Sequence, residues 1–352
     1  MSAALLVRLL REPATPVRDT EWTGLIAAAR GEQLIGSLAH RLADQDVPAR
    51  VAALLAMHRA DADRTRVQAL WDAEMARRAL APLGVPVLLL KGTAFHAAGL
   101  QAAAGRSVGD LDILVPKATL SDVEAALIAA GWERLKPADG YDDFYYRTWM
   151  HELPPLIHRE RDRMIDVHHT ILPPTARPTP DPTSIIADSV ALPDGLRVPC
   201  PPDMIVHAAA HLLADGDMAG GLRNLWDIDQ LLREFGVAPA FWEQLATHAA
   251  RHQLTAPVRR AVRLSHRLYA TPAPADWLTG GGGDLPFVRR LLARDGWGRQ
   301  TRAATRFGFY VRGHAMRMPP LMLARHLIRK ARGSGNASAA VASRGGSARK
   351  HA

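Results

Sequence analysis

The amino-acid sequence predicts an α+β protein, with a mixed β-sheet core between an N-terminal helical region and a C-terminal helical domain. Three observations carry this. Apolar residues recur at helical spacing over 22–42 and 51–80, and helical segments return beyond residue 203. Between these blocks, PVLLLKG and LDILV are short continuous apolar runs set off by Gly or Pro, the pattern of buried strands. The order that follows is strand, helix, strand, helix and then several strands, which describes a mixed sheet.

Taken in order, residues 1–80 form the helical region, with Trp22, Leu25, Ile26, Ala29, Leu34, Leu38 and Leu42 on one face of its first run. Residues 81–172 form the core. It holds a strand over 87–90, a helix over 94–100 and a strand over 111–115 that Pro116 ends. Ser121 and Glu124 have capping-box spacing for a helix through 130, closed by Gly131. Further strands are expected at 132–135, 144–149, 152–158 and 163–168. Residues 173–202 read as a proline-rich connection. Residues 203–270 read as a helical domain closing a cleft, with helices near 203–214, 222–235, 239–252 and 255–269. A Gly/Pro loop spans 271–286, basic helices broken near Gly308, Gly313 and Pro319-Pro320 span 287–330, and a disordered tail spans 331–352.

Composition excludes several classes. One cysteine in 352 residues allows no internal disulfide framework and no cysteine-rich metal site, and it fits a cytoplasmic protein. MSAALLVRLLREP lacks the layout of a signal peptide, and no segment offers the long uncharged apolar run of a membrane span. The net charge of +9 is uneven: from Arg289 onward fifteen Arg and Lys face one acid, Asp295, giving +14 and leaving −5 for the preceding 288 residues. The chain is therefore not a uniformly basic nucleic-acid binder.

GRSVGDLDILV places Asp110 and Asp112 on one face at the margin of a core strand, where bare carboxylates repel. An isolated D-x-D is often a pair of surface acids. Here a third acid, Asp166, interrupts the apolar run RMIDVHHTI. If the two strands are neighbours, three carboxylates converge and suit two Mg²⁺ (or Mn²⁺) ions about 3.5–4 Å apart, the arrangement for in-line phosphoryl displacement. Asp110 and Asp112 would hold the ion carrying nucleotide phosphates. Asp112 and Asp166 would hold the one activating an acceptor hydroxyl, with Asp166 placed to assist its deprotonation.

Upstream, LLLKGTAF sets Gly92 and Thr93 at a strand-to-helix turn suited to phosphate, with Lys91 and Arg106 as candidates to neutralise its charge. The stretch is no Walker A motif, since the glycine-bearing loop before the lysine is missing.

These features resemble the DNA polymerase β-like nucleotidyltransferase superfamily. Within it, LLLKGTAFHAAGL, GRSVGDLDILV, AAGW, IDVHHTIL and MIVHAAAHLLADGD…GLRNLWDIDQLL resemble a bacterial family of uncharacterised nucleotidyltransferases, over residues 20–270. The resemblance implies a nucleotidyltransferase-like sheet and metal-dependent transfer of a nucleoside monophosphate from an NTP, with ATP the default donor. It sets Gly92 and Thr93 at the phosphate-binding turn, Asp110 and Asp112 at the paired metal ligands and Asp166 at the third. The superfamily commonly has Gly-Ser where this chain has Lys-Gly-Thr, which keeps the hydroxyl.

Among secondary candidates, His168 shares the face of Asp166 and is placed to orient substrate or that acid, and His151 is placed to reach the same cleft. Arg223 either pairs with Asp227 or faces the triphosphate. His207 and His211 lie on one helical face, but HAAAH lacks the metalloprotease glutamate, and helix packing is the favoured reading. Trp297, Phe307, Phe309 and Tyr310 interleave with arginines, which suits RNA, an anionic membrane or packing on the body. The leading expectation is transfer to a hydroxyl of a small molecule, peptide or protein. Behind it stand transfer to tRNA or other nucleic acid, phosphoryl transfer, and a silent binding subunit.

Overall fold

The computed structural model describes residues 2–135, 146–214 and 216–317. Four helices open the chain: α1 (Ser2–Arg11), α2 (Trp22–Gly31), α3 (Ile35–Arg41) and α4 (Ala49–Leu80). The first apolar run is broken, because Gln33 takes a left-handed φ of 55° and redirects the chain between α2 and α3. Buried Val51, Leu55, Ala62, Ala69, Ala73, Ala76 and Leu80 make the inner face of α4. Small residues dominate that face, which lets α4 lie close against the core helices α5 (Lys91–Ala97) and α6 (Leu120–Ala129).

The sheet runs β3 (Trp132–Arg134), β4 (Leu156–His158), β5 (Met164–His168), β2 (Leu111–Leu114), β1 (Leu88–Leu89), β7 (Arg197–Val198) and β6 (Val190–Ala191). Its centre is the parallel pair β2–β5, and β1 runs antiparallel to β2. All four residues of β2 are buried, as expected of a strand covered on both faces.

Several expected elements differ. Residues 146–149 make a helical turn where a strand was expected, and 144–145 lie outside the described residues. The expected strand over 152–158 reduces to β4, with Glu152 bridging to His168 alone. The capping box does not form: Thr119, not Ser121, is the N-cap of α6. Glu124 is instead buried, accepting hydrogen bonds from Arg134 and Arg147 at 2.9 Å each. The helix expected from Ala94 begins at Lys91.

The proline-rich connection contains helix α7 (Pro182–Ala187) and the β6–β7 hairpin, which extends the sheet beside β1. Beyond it, α8 (Pro201–Leu213), α9 (Gly221–Phe235), α10 (Phe241–Arg251) and α11 (Thr255–Tyr269) pack on one another, and α1 packs on α11. The N-terminal helix is thereby tied to the helical domain that follows the sheet. The Gly/Pro loop includes short 3₁₀ turns, and α12 (Leu285–Leu291) starts inside it. Helix α13 (Ala303–Arg317) runs through Gly308 and Gly313 without a break, since an isolated helical glycine costs only about 1 kcal/mol. Pro319-Pro320 and the expected disordered tail lie outside the described residues.

Candidate active site

Parallel pairing of β2 and β5 sets Asp112 opposite Asp166. Asp110 precedes Asp112 by two positions and reaches the same place, so that oxygens of all three carboxylates lie within 4.8 Å of one another. Asp112 is buried, while Asp110 and Asp166 are half-buried. The donor set is entirely carboxylate oxygen, which suits a hard divalent cation such as Mg²⁺ or Mn²⁺.

The electrostatics of the three differ. Burial, then repulsion from Asp112 and Asp110, pushes the Asp166 carboxyl up to about 7. Burial acts in the same direction on Asp112, but Lys91 and a hydrogen bond from His168 outweigh it and hold Asp112 well below the ordinary carboxylate value. Lys91 Nζ donates to Asp112 Oδ1 at 2.7 Å, and His168 Nε2 lies 3.0 Å from the same oxygen. On its other side, His168 Nδ1 is 3.4 Å from Glu152 Oε2. His168 thus contacts Asp112 through Nε2 with Glu152 close to its other nitrogen, and burial lowers its own pKa.

The β1–α5 turn owes its shape to two residues. Lys91 has φ 48°, a left-handed conformation that costs a non-glycine residue energy. Gly92 leaves space for Arg106: a Cβ there would sit 1.4 Å from Arg106 Nη1. Arg106 is in turn held by Asp227, with Nε 3.2 and 3.0 Å from the two carboxylate oxygens. Thr93 is buried, its hydroxyl makes no hydrogen bond, and it is absent from the cleft wall.

The open cleft beside the carboxylates has a volume of about 840 Å³. Lys91, Gly92, Arg106, Asp110 and Asp112 line it from the core, Arg223 and Asn224 from α9, and Arg30 and His58 from the N-terminal helices. Arg223 Nη2 donates to Ser107 O at 3.1 Å, and its Nε lies 3.5 Å from Asp227. Burial and the neighbouring Arg106 bring the Arg223 pKa down to about 10. Sequence reasoning missed Arg30, His58 and Asn224. Nothing in their spacing signals a cleft, because they meet it only through packing between distant helices.

His207 and His211 line a smaller cavity behind Lys91, together with Phe95 and Met204. Neither belongs to a metal-ligating group among the described residues, and Asp203, one turn before His207, pairs instead with His248 and His252. His151 lies beside His168, ring centroids 5.2 Å apart. The described part of the basic segment contributes nothing to the cleft wall. Phe309 stacks edge-on against Phe287 at 5.0 Å, and Arg312 donates to Leu213 O at 2.8 Å. Trp297 and Phe307 are exposed. Among the described residues, no helix is long and apolar enough to cross a membrane.

A mixed sheet with paired acids facing a third across a parallel ladder, next to a strand-to-helix turn, is a nucleotidyltransferase-like arrangement. The chain belongs to the family described as uncharacterised nucleotidyltransferase, whose model matches residues 18–270. That span takes in the whole sheet and helices α2 to α11 and stops before the basic segment. No curated protein matches the chain.

Proposed function

We propose that this protein transfers a nucleoside monophosphate from an NTP, with ATP the default donor, to a hydroxyl of a small molecule, peptide or protein in the cytoplasm. The observation that carries this reading is the meeting of Asp110, Asp112 and Asp166 on one side of the β2–β5 ladder. Those three residues would hold Mg²⁺ or Mn²⁺. When bound, the ions would neutralise phosphate charge and lower the pKa of an acceptor hydroxyl. His168 fixes the orientation of Asp112 through Nε2, and Asp166 is placed to take the acceptor proton on a carboxylate oxygen. Lys91 occupies Asp112 through one hydrogen bond and is placed to turn its ammonium to a phosphate. Gly92, Arg106 and Arg223 shape that side of the site, with Gly92 admitting Arg106 and the two arginines lending positive potential to the cleft, while Thr93 stays behind the wall.

A nucleic-acid acceptor is less favoured, because the described basic segment lies away from the cleft wall. The test is incubation with α- and γ-labelled NTPs, Mg²⁺ or Mn²⁺ and a cell extract, followed by mass analysis of whatever gains label. Transfer of α-label supports nucleotidylation. Transfer of γ-label alone replaces it with phosphoryl transfer, and no transfer from any NTP favours a silent binding subunit.

A further inference from the structure

Asp203 presents a problem of charge that the carboxylate cluster does not solve. It lies in the first turn of α8, its side chain fully buried, and its ion-pairing partners among the described residues are two histidines, His248 and His252. His252 is also fully buried, and its Nδ1 accepts a hydrogen bond from the Asp181 backbone N–H at 3.2 Å. A ring nitrogen that accepts carries no proton, so His252 is a neutral imidazole whose Nε2–H donates to Asp203 Oδ1 at 3.2 Å. It orients the carboxylate without neutralising it. The formal charge therefore falls to the two other neighbours: His248 Nδ1 shares Oδ1 at 2.7 Å, and Cys200 Sγ donates to Oδ2 at 3.4 Å.

We propose that Cys200, Asp203 and His248 form a second metal site, for Zn²⁺, that staples the start of helix α8 to helix α10. The three ligand atoms lie within 4.8 Å of one another, with Sγ 4.0 Å from His248 Nδ1. Zinc bonds of about 2.0–2.3 Å in tetrahedral geometry place ligand atoms about 3.3–3.7 Å apart, so small rotations about the side-chain bonds bring all three into range. A thiolate, an imidazole and a carboxylate form a mixed set that favours zinc over the hard cation suited to the three aspartates. His252 then plays the outer part, holding the ligating carboxylate in place.

On binding, the Cys200 S–H bond breaks and its proton passes to solvent, while His248 moves its remaining proton to Nε2. No oxidant or reductant is needed. Without a cation, burial and then Asp203 push the Cys200 thiol up to about 12, so the metal itself must deprotonate it. The consequence for the molecule is mechanical. The same helix carries His207 and His211 to the cavity beside Lys91, and fixing its first turn fixes that wall.

Cys200 is the only cysteine in the chain, so a thiolate-to-cobalt charge-transfer band reports on this site alone. Cobalt titration of the reduced, chelator-stripped full chain should give that near-ultraviolet band stoichiometrically, and Zn²⁺ should bleach it. Asp112→Asn should leave it intact, which separates this site from the aspartate cluster. His248→Ala should weaken Zn²⁺ binding at least about tenfold in competition with a chromophoric chelator. Absence of the band from the unmutated protein at saturating cobalt overturns the proposal in favour of an imidazolium–carboxylate pair, with no need for any variant to fold. A band that survives undiminished in His248→Ala also overturns it.

Discussion

Two buried carboxylates, Asp227 and Asp112, sit in opposite electrostatic settings. Asp227 meets two guanidinium groups, Arg106 and Arg223, so base outnumbers acid there by two charges to one. Asp112 meets two other acids and one ammonium, so that with all groups ionised the cluster holds three negative charges against the single positive charge of Lys91. The first arrangement gives its carboxylate ample positive charge and binds the core to the helical domain. The second is short of positive charge, and burial together with repulsion from Asp112 and Asp110 pushes Asp166 up to about 7. A buried carboxylate with its own guanidinium partners maintains architecture, whereas a cluster of acids beside a cleft lacks a full counter-charge.

The strongest way to break this contrast is to alter the acid-rich side. Asp112→Asn should cut nucleotidyl transfer by about 10³-fold or more while the protein stays folded, which a labelled-NTP assay and circular dichroism together check. Equal transfer by the variant would remove Asp112 from the chemistry. On the Asp227 side the effect should move from activity to stability. Asp227→Ala leaves Arg106 and Arg223 buried without their carboxylate and should cost about 3–5 kcal/mol in urea unfolding.

Acidity sharpens the comparison further. The Asp166 pKa rises from 3.8 in its ordinary state to about 7 when folded, so the folded chain holds this proton more tightly than the unfolded one. The stability it contributes is full below about pH 4 and is lost as pH rises toward about 7, by about 4 kcal/mol at most. In chelator, the wild-type melting temperature should fall over that window relative to Asp166→Asn, which has no proton to lose. Saturating Mg²⁺ should flatten the difference. A smaller effect is expected at the turn: Gly92→Ala drives a methyl into Arg106, loosens its hold on Asp227 and should cost about 1–3 kcal/mol in urea unfolding.

Much of this was legible in the chain because it is local. Alternation along a strand puts Asp110 and Asp112 on one side, and an acid within MIDVH announces that something must meet it. The α+β class and the helices near 222–235 and 255–269 follow from apolar periodicity, and their observed counterparts are Gly221–Phe235 and Thr255–Tyr269. What stayed hidden depends on distance along the chain. Ser121 and Glu124 have capping spacing, yet Glu124 is drawn inward by Arg134 and Arg147, a tertiary demand that outweighs a local one. Gly92 looked like a phosphate contact from its motif. Its crowding by Arg106, and the locking of Arg106 by Asp227 across 121 positions, cannot be read from spacing. The two strands in the proline-rich stretch were equally hidden, being only two residues each.

The pairing of β2 with β5 has one further implication. Asp166 stands opposite Asp112, and His168 opposite Leu114, only in the observed alignment of hydrogen bonds. Adding or deleting one residue inside Met164–His168 would swing Ile165 or Val167 toward the acids and send the carboxylate to the far surface. The protein would keep its hydrophobic composition and lose the meeting of its three carboxylates in a single step. Length changes in this strand are therefore all-or-nothing for the proposed reaction, however mild they are for the fold.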